Sequence, residues 1–132
     1  MTVYLGTHGK VELKREFDGT LTGTIKPDDV NTSAKRFSFD FEHGQLLTGD
    51  QIEITSTDDS ALDFIDSYTD SSVKKFIYVD ELDGIRLYDS FADAITGGKT
   101  NAETLAAPGD DIPVEVKVAN ASYRLIAQVN SF

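Results

Sequence analysis

The chain has 132 residues, of which 39% are hydrophobic and 27% charged, the size and apolar content of one ordinary domain with a core rather than of a disordered segment. With 12 Lys+Arg against 23 Asp+Glu the formal net charge is -11, which repels phosphate and argues against direct nucleic-acid binding and against docking on anionic lipid. The absence of cysteine excludes disulfides, zinc thiolates, iron–sulfur clusters and cysteine nucleophiles together.

Between Met1 and Lys14 the apolar residues are broken by Gly6 and Gly9. This end does not read as a signal peptide, no window approaches a membrane span, and the protein is expected to be made and folded in a cytoplasm. Lys10–Lys14 reads as a strand after a turn-prone Gly6–Gly9, and Thr20–Ile25 as a weaker one. Residues 36–42 alternate with period two, placing Phe37, Phe39 and Phe41 on one face and Ser38 and Asp40 on the other. Residues 51–57 repeat this, with Ile52 and Ile54 inward and Glu53 and Thr55 outward. Ser60–Ile65 reads equally as a helical turn or a strand.

Lys75–Val79 and Ile85–Tyr88 form a predicted hairpin around Asp83-Gly84, a turn pair in which glycine accepts positive φ. Ser90–Ile95 is the strong helix signal. It has an N-cap serine, an acid in the first turn and a Gly97-Gly98 stop, with Phe91, Ala94 and Ile95 on the face expected to lie against a sheet. Residues 113–119 place Val114, Val116 and Val118 on one side, and residues 123–129 follow with Tyr123, Leu125, Ala127 and Val129. The short link Asn120-Ala121-Ser122 predicts that these last two strands form an antiparallel hairpin. About seven or eight short strands and one short α-helix predict a single mainly β domain, a β-sandwich or partly closed barrel.

Reactive constellations are sparse. His8 and His43 each precede glycine and read as turn residues, without catalytic or metal-binding partners at fixed spacing. The doublets Asp28-Asp29, Asp58-Asp59 and Asp110-Asp111 supply oxygen ligands, but the interleaved spacing of a calcium loop is missing and Asp80–Gly84 matches it only in part, so solvated turns are the better reading. Gly6–Gly9 is too short for a phosphate loop, and no serine sits in a Gly-x-Ser-x-Gly setting. Aromatics fall mostly at alternating strand positions, where core packing explains them. Tyr68 stands apart in the polar run Asp66–Ser72, as an exposed contact residue or a loop anchor. Neither catalysis nor a cofactor is expected.

The opening Val3-Tyr4-Leu5-Gly6-Thr7-His8-Gly9-Lys10-Val11-Glu12-Leu13-Lys14-Arg15 resembles the start of a family of tailed-bacteriophage tail proteins, which begin Tyr-Leu-Gly-x-x-Gly-x-Val-x-Leu-x-Arg. Further similar stretches follow in order. They are Pro27–Asn31, Arg36–Asp40, Leu46–Ile52, Val79–Tyr88, Phe91–Ile95 and Arg124–Val129, so the resemblance covers nearly the whole chain. Relatives often continue into a second region, which makes this chain read as a short single-domain member or a separately encoded half.

The resemblance implies a structural virion protein of a long non-contractile siphovirus tail: tube, tube-to-tip adaptor or tail-tip ring. It implies a tail-tube-like fold, a homo-oligomeric ring (commonly a hexamer) and contacts with other tail proteins. DNA would pass through the ring without specific binding. On that reading Asp40, Glu42 and Glu53 are candidate lumen-facing acids whose charge repels phosphate. The loops Asp66–Lys74 and Gly97–Asp111, with Asp66, Tyr68, Asp70, Lys74, Lys99 and Asp110 as candidate contacts, would reach adjacent rings and be mobile in a monomer. The competing reading is a carbohydrate- or receptor-binding β-sandwich of a virion, with Tyr68 as its exposed aromatic. A hydrolase lacks the constellation it needs.

Overall fold

A computed structural model describes residues 2–5, 10–14, 20–38, 46–80, 84–120 and 124–128, with the side chains of 20–38, 46–80 and 84–119. The strands are β1 (Thr2–Leu5), β2 (Lys10–Lys14), β3 (Thr20–Ile25), β4 (Val30–Asn31), β5 (Arg36–Phe37), β6 (Gln51–Ser56), β7 (Ser72–Asp80), β8 (Gly84–Tyr88), β9 (Ile112–Asn120) and β10 (Arg124–Gln128), and the helix α1 spans Phe91–Thr96. Seven strands form one antiparallel sheet in the order β3-β9-β6-β7-β8-β5-β4, and three form a second, β1-β2-β10. The protein is thus mainly β, a curled half-barrel sheet carrying one short helix.

The curl follows from connectivity. Seven flat strands at a spacing of about 4.8 Å would hold the outer two roughly 29 Å apart. Yet the outermost strands β3 and β4 are joined through a single 3-10 turn, Pro27–Asp29, and a chain from Ile25 to Val30 reaches at most about 18 Å. The sheet therefore bends until its two edges approach at this corner. Asp29 fixes the turn by accepting the Lys26 backbone N–H at 2.8 Å.

Alternation sets the two faces. Ile52 and Ile54 of β6, Val73 and Ile77 of β7, Ile85 and Leu87 of β8 and Val114 and Val116 of β9 all point into the curl and are buried. Phe37 joins them from β5, its ring 4.8 Å from that of Phe64. Each such side chain contributes about 1.5–3 kcal/mol through burial. The open mouth is covered by two irregular segments. Leu62, Phe64, Ile65 and Leu105 are buried in the same core. The segments are tied together by a bridge between Ile65 and Leu105 and by backbone bonds from Ala106 to Phe64 and from Asp66 to Thr104. Ser60–Ile65 is thus neither helix nor strand but a cover, which is why its apolar residues follow neither period.

On the outer face α1 leans on β7 and β8, with Tyr88, Ala94 and Ala102 buried and Phe76 and Tyr78 beside them. Ser90 caps α1 by accepting the Asp93 N–H at 3.1 Å. The expected apolar face is corrected: Ala94 is buried, but Phe91 and Ile95 are 46% and 52% exposed. A six-residue helix has under two turns, and it rests on the sheet through Ala94, while Phe91 makes an edge contact with Phe76. Gly97 ends the helix at φ 71, and a Cβ there would lie 2.8 Å from the Tyr78 ring. Gly97→Ala is expected to cost about 1–3 kcal/mol from the left-handed backbone and the clash together, read as a lowered thermal midpoint.

Two sequence expectations are corrected. The hairpin of the last two strands does not form: both edges of β9 are taken, by β3 and β6, so β10 pairs with β2. The β7–β8 hairpin does form, closing at Asp80 opposite Gly84, but Gly84 is not in the left-handed region. Glycine is needed there because a Cβ would come within 2.5 Å of the Arg36 Cδ, and Arg36 is held by an ion pair to Asp80 at 3.0 Å. The predicted strand 36–42 is described only as far as Ser38. Phe39, Phe41, Asp83, Tyr123 and the links at 6–9 and 121–122 lie outside the described residues.

The β2–β10 ladder keeps the register of the β3–β9 ladder. Passing from the pair Thr20–Lys117 to the pair Leu13–Arg124 advances both strands by the same number of residues. β1 adds a third strand along the other edge of β2.

Candidate functional site

The surfaces available for function are the sheet borders, the outer helix face and the paired cover segments. β3 is bordered by β9 on one side and by no strand on the other among the described residues. Its Thr20 and Thr22 are exposed, and it carries neither charge nor proline, the devices that blunt a sheet edge. The opposite border is the two-residue β4.

Of the candidate lumen acids, Asp40 and Glu42 lie outside the described residues. Glu53 sits half-buried on the outer face of β6, in register with Lys74 of β7 on one side and Lys117 of β9 on the other. Its negative charge is therefore offset by two flanking ammonium groups, and Glu53 does not by itself make a repelling wall.

The candidate loop contacts are not brought together. Asp66 and Asp70 are exposed, but their backbones join the cover, the Leu62 N–H donating to the Asp70 carbonyl. Tyr68 is a loop anchor: it packs on the core and its hydroxyl donates to the Ser72 carbonyl at 2.6 Å, with burial pushing the phenol up from its ordinary range. Lys74 belongs to β7 rather than to a loop. Lys99 lies at the other end of its segment, its carbonyl accepting from Lys35 Nζ. Asp110 lines a shallow cleft of about 150 Å³ with Asp63 and Asp111. The long segments are not free arms, because their buried apolar residues and mutual hydrogen bonds hold them on the mouth of the curl.

A cluster the sequence did not flag pins the second segment. Lys75 Nζ donates to Asp89 and, at 2.8 Å, to Glu103, while the Glu103 N–H donates to the Leu87 carbonyl at 2.8 Å. Burial works against the Lys75 charge, but the two carboxylates outweigh it and raise the ammonium above its ordinary range. The hydrogen bond from Lys75 holds the Asp89 carboxyl low. The folded state therefore releases the Asp89 proton more readily than the unfolded chain, and holds the Lys75 proton more tightly. The clamp is at full strength between about pH 5 and pH 10, and weakens as acid protonates Asp89 or as alkali deprotonates Lys75. Lys75→Met is expected to remove about 1 kcal/mol at neutral pH and to flatten both limbs, as measured by denaturant unfolding across pH.

The acidic doublets serve turns. Asp29 holds the 3-10 turn, and Asp58 accepts from the Ser56 hydroxyl at 2.7 Å and the Ser60 N–H at 3.1 Å, bonds that hold its carboxyl low. Among the described residues no group of three or more His, Asp or Glu is placed to hold a metal ion, and no helix is long and apolar enough to cross a membrane. His8 and His43 lie outside the described residues. Comparison with protein-family models, with curated proteins and with solved structures gives no match.

Proposed function

We propose that this chain is a structural subunit that assembles with copies of itself into a ring, as a component of a long non-contractile bacteriophage tail. The observation that carries the reading is the curled half-barrel sheet, whose border strand β3 has a strand neighbour on one side only among the described residues. Such a border is stable in solution when a neighbour covers it, and head-to-tail repetition closes when the rotation between copies completes a turn. The resemblance to tail proteins read from the sequence supplies the context of the proposal: a tail tube, adaptor or tip ring, made in the host bacterial cytoplasm and carried in the virion, with other tail proteins as neighbours. The net charge of -11 suits a ring through which DNA passes without adhering. Tyr68, the aromatic on which the carbohydrate-binding alternative relied, is half-buried with its hydroxyl engaged, which favours the structural reading over it. Native mass spectrometry with electron microscopy of the purified chain tests the reading. Closed rings, six copies being the expectation, support it; a chain that stays monomeric up to high concentration rejects it.

A further inference from the structure

Two irregular strips, 57–71 and 97–111, cover the mouth of the half-barrel, and they are bonded to each other. The Asp66 N–H donates to the Thr104 carbonyl at 3.0 Å and the Ala106 N–H to the Phe64 carbonyl at 2.8 Å, around the Ile65–Leu105 bridge. One strip cannot lift without breaking these bonds to the other. Each strip begins at left-handed backbone: Asp59 has φ 62, and Gly97 and Gly98 have φ 71 and 82. Residues at the ends of a segment that absorb a backbone change are where a lid turns.

An ionic tie fastens the pair to the sheet. Side chains alternate along a strand, and Lys75 lies between Val73 and Ile77, opposite Ile52, all three of them buried on the inner face. A lysine therefore points into the mouth. Its ammonium is met by Asp89 from the end of β8 and, at 2.8 Å, by Glu103 from the second strip. The Glu103 N–H also donates to the Leu87 carbonyl of β8 at 2.8 Å. From the first strip, the Tyr68 phenol feels Lys75, Glu103 and Asp70. Lys74 and Glu53, paired in register, lie on the outer face.

We infer that the two strips are one strap, latched by Lys75, which opens as a unit in acid while the sheet stays folded. Burial opposes the charge of this lysine, and its two carboxylates outweigh that cost. Acid neutralises the carboxylates. An inward ammonium without counter-charge is then driven toward water, and Glu103 is released with it. Asp89 gives the same sign. Its carboxyl is held low in the closed form, so closing favours the ionised acid and that advantage is lost as pH falls. The device belongs to the single chain and is independent of the assembly proposed above.

Native-state hydrogen exchange on the whole chain, corrected for intrinsic rates, reads the strips and the sheet together. From about pH 7 to about pH 4 the amides of Asp66, Glu103 and Ala106 are expected to open in concert, more often by roughly five- to tenfold, the scale of one hydrogen bond to a charged group. The amides of β6 keep their protection. Lys75→Met retains the apolar stem without the charge, and is expected to show the acid level of opening at both pH values. Glu103→Gln, of the same size, is expected to do likewise. Strips that open separately, a sheet that opens in step with them, or a pH response that survives both substitutions overturns the strap.

Discussion

Replacing Phe64 by alanine is expected to destabilise the fold by about 3–5 kcal/mol, a large share of the 5–15 kcal/mol typical of a domain. Phe64 is fully buried, yet it belongs to no strand or helix. Its ring packs on Phe37 from the opposite side of the core, and its carbonyl accepts the Ala106 N–H. Truncation leaves a cavity at the mouth of the half-barrel and loosens the segment through which the second cover strip is attached. Guanidinium denaturation gives the loss in stability. Limited proteolysis would find new cleavage within 60–66 and 102–108 before the sheet itself opens, because the cover is the part that Phe64 holds down. Phe91→Ala, at an exposed site, provides the control, with a much smaller loss. Equal losses for the two would mean that the cover does not close the core.

The strand faces were legible because burial along a strand has period two: Ile52 and Ile54, or Val114 and Val116, declare their side without any knowledge of neighbours. Partners were not legible. Whether β10 lies on β9 or on β2 depends on which edges the rest of the chain has already occupied, and the short link before Arg124 carries no information about that. The need for glycine at position 84 was legible but its reason was not, since the obstruction is Arg36, distant in sequence. The role of the cover segments was not legible. Irregular backbone has no period, so Ser60–Ile65, with Leu62 and Phe64, reads equally as a helical turn or a strand, and Tyr68 as either an exposed contact or the loop anchor that it is. The Lys75 clamp joins residues from three separate stretches, which no spacing rule connects.

Asp50 makes the second large prediction, and it concerns a charge where the alternation leads one to expect only the start of a strand. The residue is wholly buried. Its carboxylate accepts the Leu47 N–H at 2.9 Å, and its own N–H donates to the Leu47 carbonyl at 3.0 Å, closing the turn that feeds β6. The Asp50 carbonyl accepts the Ile77 N–H at 3.0 Å and the Gly49 N–H donates to the Ile77 carbonyl at 2.8 Å, so the turn is also stitched to β7. Asp50→Ala leaves the Leu47 N–H without its acceptor and is expected to cost about 2–4 kcal/mol. Asp50→Asn keeps an acceptor oxygen of the same reach, so it should recover at least half of that loss if the hydrogen bond is what matters. Thermal and denaturant unfolding of the pair decide the point: losses of equal size in both variants would show that the charge, rather than the turn's hydrogen bond, is what the interior requires. Because Leu46, Leu47 and Thr48 line one wall of a cleft of about 300 Å³ closed by Val79, and Thr48 accepts the Val79 N–H at 2.8 Å, loss of the turn would also dismantle that cleft. The damage would then spread along the β6–β7 pair, toward the strands on which α1 rests.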